Sequence, residues 1–230
     1  MITGILSEIV DYKDSPACKE TGQCDIASLP TTLSFNKDKE PGISGPLRLG
    51  TIISDAFILQ YYDGYPMKDV AWGKIKNNEE WLELASIKDK YGEVLFGAPL
   101  VAEHVAKPLL DYVDKTIQVG GEKELTVLVG HDSNVVSLLS ALNVQPYVLP
   151  DTFENTPIGG KIAIERWKNP KGDDLVKLEY IYQTSDQIRN LVPLSLQTPP
   201  QHVTLKMNDC PTDKNGFCSF DTFKQKLAQL

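Results

Sequence analysis

The 230-residue chain is poor in several features that mark large classes of protein. It holds only three arginines, at 48, 166 and 189, and only three histidines, at 104, 131 and 202. Lysine and arginine together number 23 against 31 aspartates and glutamates, and the basic residues form no run. The net charge of −8 therefore excludes the basic face that a nucleic-acid binder needs. No stretch approaches the roughly 20 consecutive apolar residues of a membrane-spanning helix. The first residues, MITGILSEIVDYKDS, lack the basic start and long apolar centre of a secretory leader. Repeats and low-complexity segments are also missing. What remains is ordinary for a soluble globular protein, with 41% hydrophobic and 23% charged residues. That length accommodates one large domain or two small ones.

Cysteine is scarce too, but its placement is informative. Cys18 and Cys24 bracket the polar loop CKETGQC, and Cys210 and Cys218 bracket CPTDKNGFC. Two local pairs in turn-rich, hydrophilic loops point to two small disulfides, Cys18–Cys24 and Cys210–Cys218, and to an oxidising compartment. Unpaired thiols or a zinc site are the alternatives. Neither spacing matches the usual two-to-four-residue ligand knuckle, which weakens the zinc reading.

Along the chain, residues 1–13 read as the tail of a helix with Ile5 and Ile9 on one face. Residues 14–46 carry four prolines and three glycines and leave little room for long elements. Pro46 fits the first turn of a helix whose inward positions are Leu49, Ile52, Ile53, Ala56, Phe57 and Gln60, ending near Asp63-Gly64. A second amphipathic helix spans 77–91, with Trp81, Leu84 and Ala85 inward. A third starts at Pro99 and runs through Val101, Val105, Leu109 and Val113, with Pro108 expected to bend it. Gly120-Gly121 breaks the chain. After residue 142, the alternating segments 161–167, 176–182 and 203–207 read as strands, and NPKGDD joins the first two as a hairpin. Trp72, Trp81 and Trp167 read as packing residues. Tyr61 and Tyr62 fit either a sugar site or, more plainly, core packing.

The segment most able to carry chemistry is 125–142, LTVLVGHDSNVVSLLSAL. Five apolar or β-branched residues stop at Gly130 and a polar cluster follows. Apolar residues then recur at 135, 138, 139 and 142, which is helical spacing. A buried strand, a tight turn and an amphipathic helix follow from that pattern. They place His131 and Asp132 where open α/β sheets bind ligands and where helix N–H groups face an anion. His131 can donate to an anion's oxygen, and Asp132 can pass a proton to a leaving oxygen. The structural alternative is a simple N-cap.

With that segment goes NTPIGGKIAIERW, and the two together resemble the C-terminal half of the histidine acid phosphatases, branch 2 of the histidine phosphatase superfamily. Further segments carry the same resemblance, among them DYKDSPACKETGQC, EPGISGPLRLG, DAFILQYYDGYPM, VAWGKI, VAKPLLDYVDK and QHVTLKMNDCPTDKNGFC. They cover nearly the whole chain, and within the family they are most similar to the periplasmic glucose-1-phosphatases of bacteria. The resemblance implies an α/β fold, with a histidine-phosphatase-like mixed sheet flanked by helices and a helical subdomain. In these terms residues 1–120 are a mostly helical cap and 121–230 the C-terminal part of the α/β core. It also implies hydrolysis of a small phosphorylated sugar through a phosphohistidine, with no metal or cofactor. Asp132 becomes the proton donor, His131 a phosphate contact and Glu40 the carboxylate that meets the sugar. Without the resemblance, Glu40 reads as a solvated loop charge. The periplasm is the implied location, and neither nucleic acid nor membrane is an implied partner.

The departure is equally plain. The family's nucleophile lies in an N-terminal Arg-His-x-x-Arg-x-Pro motif, yet no arginine here adjoins a histidine. The chain reads as incomplete at its N-terminal side and as inactive alone. A phosphate dianion needs preorganised positive charge, which His131 and a helix end supply only thinly. An apolar strand without its neighbours also leaves exposed apolar surface, so the isolated chain is expected to aggregate. A non-catalytic remnant or binding module, and a phytase-like acid phosphatase, are the alternative readings.

Overall fold

In the computed structural model, residues 4–37, 39–118 and 125–230 are described. The break expected at Gly120-Gly121 lies outside them. Eight α-helices and six strands are found among the described residues: α1 (Gly4–Ile9), α2 (Pro16–Thr21), β1 (Leu33–Ser34), β2 (Gly42–Ile43), α3 (Pro46–Tyr62), α4 (Asn78–Phe96), α5 (Pro99–Gln118), α6 (Asp132–Ala141), β3 (Lys161–Lys168), β4 (Asp174–Tyr182), α7 (Ser185–Arg189), β5 (Gln201–Leu205), β6 (Phe217–Ser219) and α8 (Phe220–Leu227). They form two compact units. One comprises Met1–Leu95, Asp151–Pro157 and Thr184–Thr198; the other comprises Phe96–Pro150, Ile158–Gln183 and Pro199–Leu230. The units thus interleave along the chain.

The first unit is helical. Pro46 occupies the first turn of α3, as its fixed φ favours, and Asp63 caps the other end. The face that α3 buries is turned from the one its apolar spacing predicts, although Phe57 is buried and Leu49 and Ile53 pack half-buried against the core. Gly50, Thr51, Ser54, Phe57, Ile58, Tyr61 and Tyr62 are inside, whereas Ile52 and Ala56 are exposed. Small residues explain the rotation. A Cβ at Gly50 would stand 2.9 Å from Ile87 Cγ2 on α4, so the two helices approach where side chains are absent. Around this contact Leu6, Ile9, Ile26, Phe57, Ile58, Trp81, Leu84 and Ile87 form one core. Each such side chain contributes about 1.5–3 kcal/mol by leaving water. Trp72 and Trp167, by contrast, are 65% and 52% exposed, with edge contacts to Phe57 and Phe217, and Trp167 Nε1 donates to Glu165 Oε2 at 2.8 Å.

In the second unit β4 is central. It pairs antiparallel with β3 on one side and with β5 and β6 on the other. The β3–β4 hairpin turns at residues 169–173, where Asn169 N–H donates to Asp173 O and Gly172 takes a left-handed φ of 91°. Val176, Leu178, Tyr180 and Tyr182 alternate onto the buried face of β4, as a period of two requires. They share a core with Leu138, Leu139 and Leu142 at α6 and with Phe220, Phe223 and Leu227 of α8. Both expected disulfides are present, Cys18–Cys24 and Cys210–Cys218, with Cα separations of 4.5 and 5.7 Å.

One expectation fails. Residues 125–129, read above as a buried strand, form no ladder with any described residue. Leu125, Val127 and Val129 are 78%, 72% and 97% exposed. Their apolarity marks where such a segment belongs, but β3 and β5, the outer strands of the described sheet, do not take it up.

Candidate active site

The turn and the helix that follow this segment form as expected. His131 stands at the N-cap of α6 in extended backbone (φ −116°, ψ 171°), and its N–H donates to Asn134 Oδ1 at 2.8 Å. Asn134 N–H returns a bond to His131 O at 3.0 Å, so the N-cap and the first turn of α6 are tied together. Gly130 is required by close approach, because a Cβ there would lie 2.8 Å from Asn134 Oδ1. Asp132 is the first helical residue, and its Oδ1 accepts the Ser133 N–H at 2.8 Å. A carboxylate there is favoured by the helix dipole.

His131 and Asp132 are both exposed, adjacent, and held on a helix whose far side is anchored in the core by Ser137, Leu138, Leu139 and Ala141. The arrangement can present an imidazole, a carboxyl group and free helix N–H groups to one anion. Glu40 lies in the other unit, exposed in the loop just before β2. His104 is exposed on α5. His202 sits on β5 with Nδ1 3.4 Å from Glu179 Oε2, and Lys177 Nζ lies 2.6 Å from Glu179 Oε1. Burial lifts the Glu179 carboxyl, but hydrogen bonds from Lys177 and His202 outweigh it and hold the group below its ordinary value.

The helical unit contains a buried polar network that residue spacing did not reveal. Glu154 is 2% exposed, and its carboxylate accepts from Lys88 Nζ at 2.6 Å and from Tyr62 OH at 3.1 Å. Tyr62 OH also lies 3.3 Å from Ser185 Oγ, and Lys88 reaches Asp55 Oδ1 at 3.2 Å. At the next residue of α4, Asp89 Oδ1 accepts the Asn155 N–H at 3.0 Å. These bonds fasten the turn that carries the NTP sequence, residues 155–157, to α3, α4 and α7. Burial raises the Glu154 carboxyl, with Lys88 acting against it. The Asp89 carboxyl is pushed up to about 6, chiefly by burial. Desolvation acts to lower Lys88, yet the carboxylates around it carry the balance upward. The bonded pairs Tyr62–Glu154, Tyr62–Ser185 and Lys88–Glu154 are 92, 123 and 66 residues apart, so only the fold brings them together.

No family model matches the chain. It is similar to the glucose-1-phosphatase of Salmonella typhimurium, 48% identical over 223 residues, which cover 95% of this chain and 54% of that protein. It is likewise similar to the Providencia rettgeri glucose-1-phosphatase, 44% identical over 228 residues, or 97% of this chain and 55% of the other. Among solved structures, the Citrobacter braakii phytase matches with a TM-score of 0.89 and 31% identity, covering 99% of this chain and 59% of that one. The chain therefore spans about half the length of the curated relatives it matches. The likeness to histidine acid phosphatases read from the sequence holds along nearly all of the chain, in residues and in fold alike.

Proposed function

From a chain that matches glucose-1-phosphatases and a phytase along nearly its whole length, we propose that it supplies the acid half of a phosphomonoester hydrolase acting on a small phosphorylated sugar. A histidine nitrogen forms a bond to phosphorus as the bond from phosphorus to the sugar oxygen breaks. Asp132 gives its proton to that oxygen, so the sugar leaves as a neutral alcohol. Water then attacks the phosphohistidine, the Asp132 carboxylate takes up the water's proton, and inorganic phosphate departs. His131 and the N–H groups at the start of α6 hold phosphate oxygens, and Glu40 accepts from a sugar hydroxyl. None of the three histidines adjoins an arginine, so the attacking histidine and the arginine clamp are assigned to residues beyond these 230. The two disulfides fit work in the periplasm.

The observation that carries this reading is Gly130-His131-Asp132 at the exposed start of α6, within a chain 48% identical to a glucose-1-phosphatase. The higher identity to the two glucose-1-phosphatases favours a sugar monophosphate over an inositol phosphate. The test joins this chain to the part of the Providencia rettgeri relative that lies outside the match. The chimaera is expected to release phosphate from glucose 1-phosphate, while the chain alone, lacking its nucleophile, falls short by a factor on the order of 10⁶. Asp132→Asn in the chimaera slows glucose 1-phosphate cleavage by about 10²–10⁴ and spares an aryl phosphate, whose leaving group needs little protonation. A chimaera that melts cooperatively yet hydrolyses nothing refutes the reading. Equal losses on both substrates remove Asp132 from the acid role.

A further inference from the structure

The helical unit has a cavity of about 360 Å³ that the phosphatase reading leaves unused. Three rings make its base. Trp81 and Phe153 stack at 5.2 Å with 13° between their planes, and Tyr61 meets Trp81 at 5.0 Å and Phe153 at 5.1 Å. The rim is polar and of both hydrogen-bonding senses. Arg189 spends two donors on the backbone carbonyls of Tyr61 and Tyr65, which closes off the end of α3. Its fork of five N–H groups leaves others for a ligand. Asp186 opposes it, with one carboxylate oxygen accepting from Tyr61 OH at 3.3 Å and the other without a partner among the described residues. Asn190 uses only its amide N–H₂, on Asp186 O, so its side-chain oxygen is likewise open. The Asn78 side-chain amide lines the same space with no hydrogen bond to a described residue.

We propose that this cavity of the helical unit binds a neutral polyhydroxylated ring, a free hexose or cyclitol. The argument is one of matching. A simple anion only accepts hydrogen bonds and would face the Asp186 carboxylate; a cation only donates and would face Arg189 and Lys76. A hydroxyl group does both, and several on one ring satisfy a guanidinium, a carboxylate and amides together. The aromatic base suits the apolar C–H face that such a ring also carries. The volume lies within the range of small-molecule sites, about 300–1,000 Å³. The binding needs no hydrolysis and stands or falls apart from the phosphatase reading.

The experiment titrates the full chain with D-glucose, myo-inositol and inorganic phosphate in separate arms, following tryptophan emission and the side-chain amide resonances of Asn78 and Asn190. Glucose or myo-inositol is expected to shift these signals saturably, with half-saturation on the order of 1 mM, and phosphate is expected to leave them unmoved. Asp186→Ala and, separately, Asn78→Ala are expected to weaken the response about tenfold, a loss of about 1.4 kcal/mol, with Asn78→Ala leaving the thermal melt in place and Asp186→Ala lowering it because Tyr61 OH loses its acceptor. A response to phosphate alone overturns the proposal in favour of an anion site. No saturable shift with either polyol at about a hundred times that concentration, or full binding by both variants, overturns it outright.

Discussion

Asp89 gives the sharpest quantitative test of the helical unit. Its side chain is largely withdrawn from water on α4 and accepts the Asn155 N–H, and burial pushes its pKa up to about 6 from the ordinary 3.8. The folded chain therefore binds this proton more tightly than the unfolded chain does. The associated stability is fully present below about pH 4 and is lost as the pH climbs through about 6. A shift of about two units at about 1.4 kcal/mol each amounts to roughly 3 kcal/mol between those limits. Asp89→Asn keeps an oxygen for the Asn155 N–H and removes the charge, but adds an amide N–H₂ that needs a partner, at about 1 kcal/mol or more if it finds none. The variant is expected to be more stable than the parent by about 1–3 kcal/mol near pH 7 and no more stable near pH 4. For a chain of this size that corresponds to about 2–4 °C in Tm per kcal/mol. Urea or thermal unfolding at both pH values, followed by tryptophan emission, reads it directly. Destabilisation at neutral pH, or an equal gain at both pH values, refutes the account of Asp89 as a carboxyl held near neutrality by burial.

Three further outcomes follow from the same structure. Lys88→Met strands the Glu154 carboxylate in the core and is expected to lower stability by about 3–5 kcal/mol, with Lys88→Met/Glu154→Leu recovering much of it; a double variant no better than the single, in chemical denaturation, counts against a paired charge. The exposed run Leu125–Val129 is expected to bind an apolar dye and to promote self-association, both reduced by replacing Leu125, Val127 and Val129 with serine; a monomer that ignores the dye, by light scattering and fluorescence, contradicts this. In the chimaera, Glu40→Ala is expected to raise KM for glucose 1-phosphate by about tenfold or more while leaving an aryl phosphate nearly unchanged, a difference of about 1.4 kcal/mol. Equal effects on both substrates return Glu40 to a solvated loop charge.

How far the sequence reveals the molecule depends on which residues do the specifying. Helices α3, α4 and α5 and the β3–β4 hairpin are legible, because periodicity, Pro46, Pro99 and the NPKGDD turn are all local signals. The face of α3 is not, because the decisive residues are Gly50 and Ser54, whose smallness permits close packing but registers as nothing on an apolar count. The run 125–129 fails for a different reason: its composition describes a central strand, while strand status requires partners that composition does not supply. At the candidate site, His131, Asp132 and the turn are readable in one short stretch. The Lys88–Glu154–Tyr62–Ser185 network and the cavity beside Tyr61 are not, because each draws on segments far apart in the chain.

The interleaving of the two units bears on how the chain can be made and how it can be cut. Five crossings separate its first residue from its last. As a ribosome releases the chain, α3 and α4 emerge early, yet Lys88 and Tyr62 must wait for Glu154 and then Ser185 before their polar groups are satisfied. Closure of the helical unit is therefore a late event of high contact order, dependent on segments that arrive only after most of the other unit has been synthesised. The same wiring means that no single proteolytic cut yields either unit whole. A fragment ending at Leu95 would lack α7 and carry a lysine and a tyrosine facing an empty place in the core.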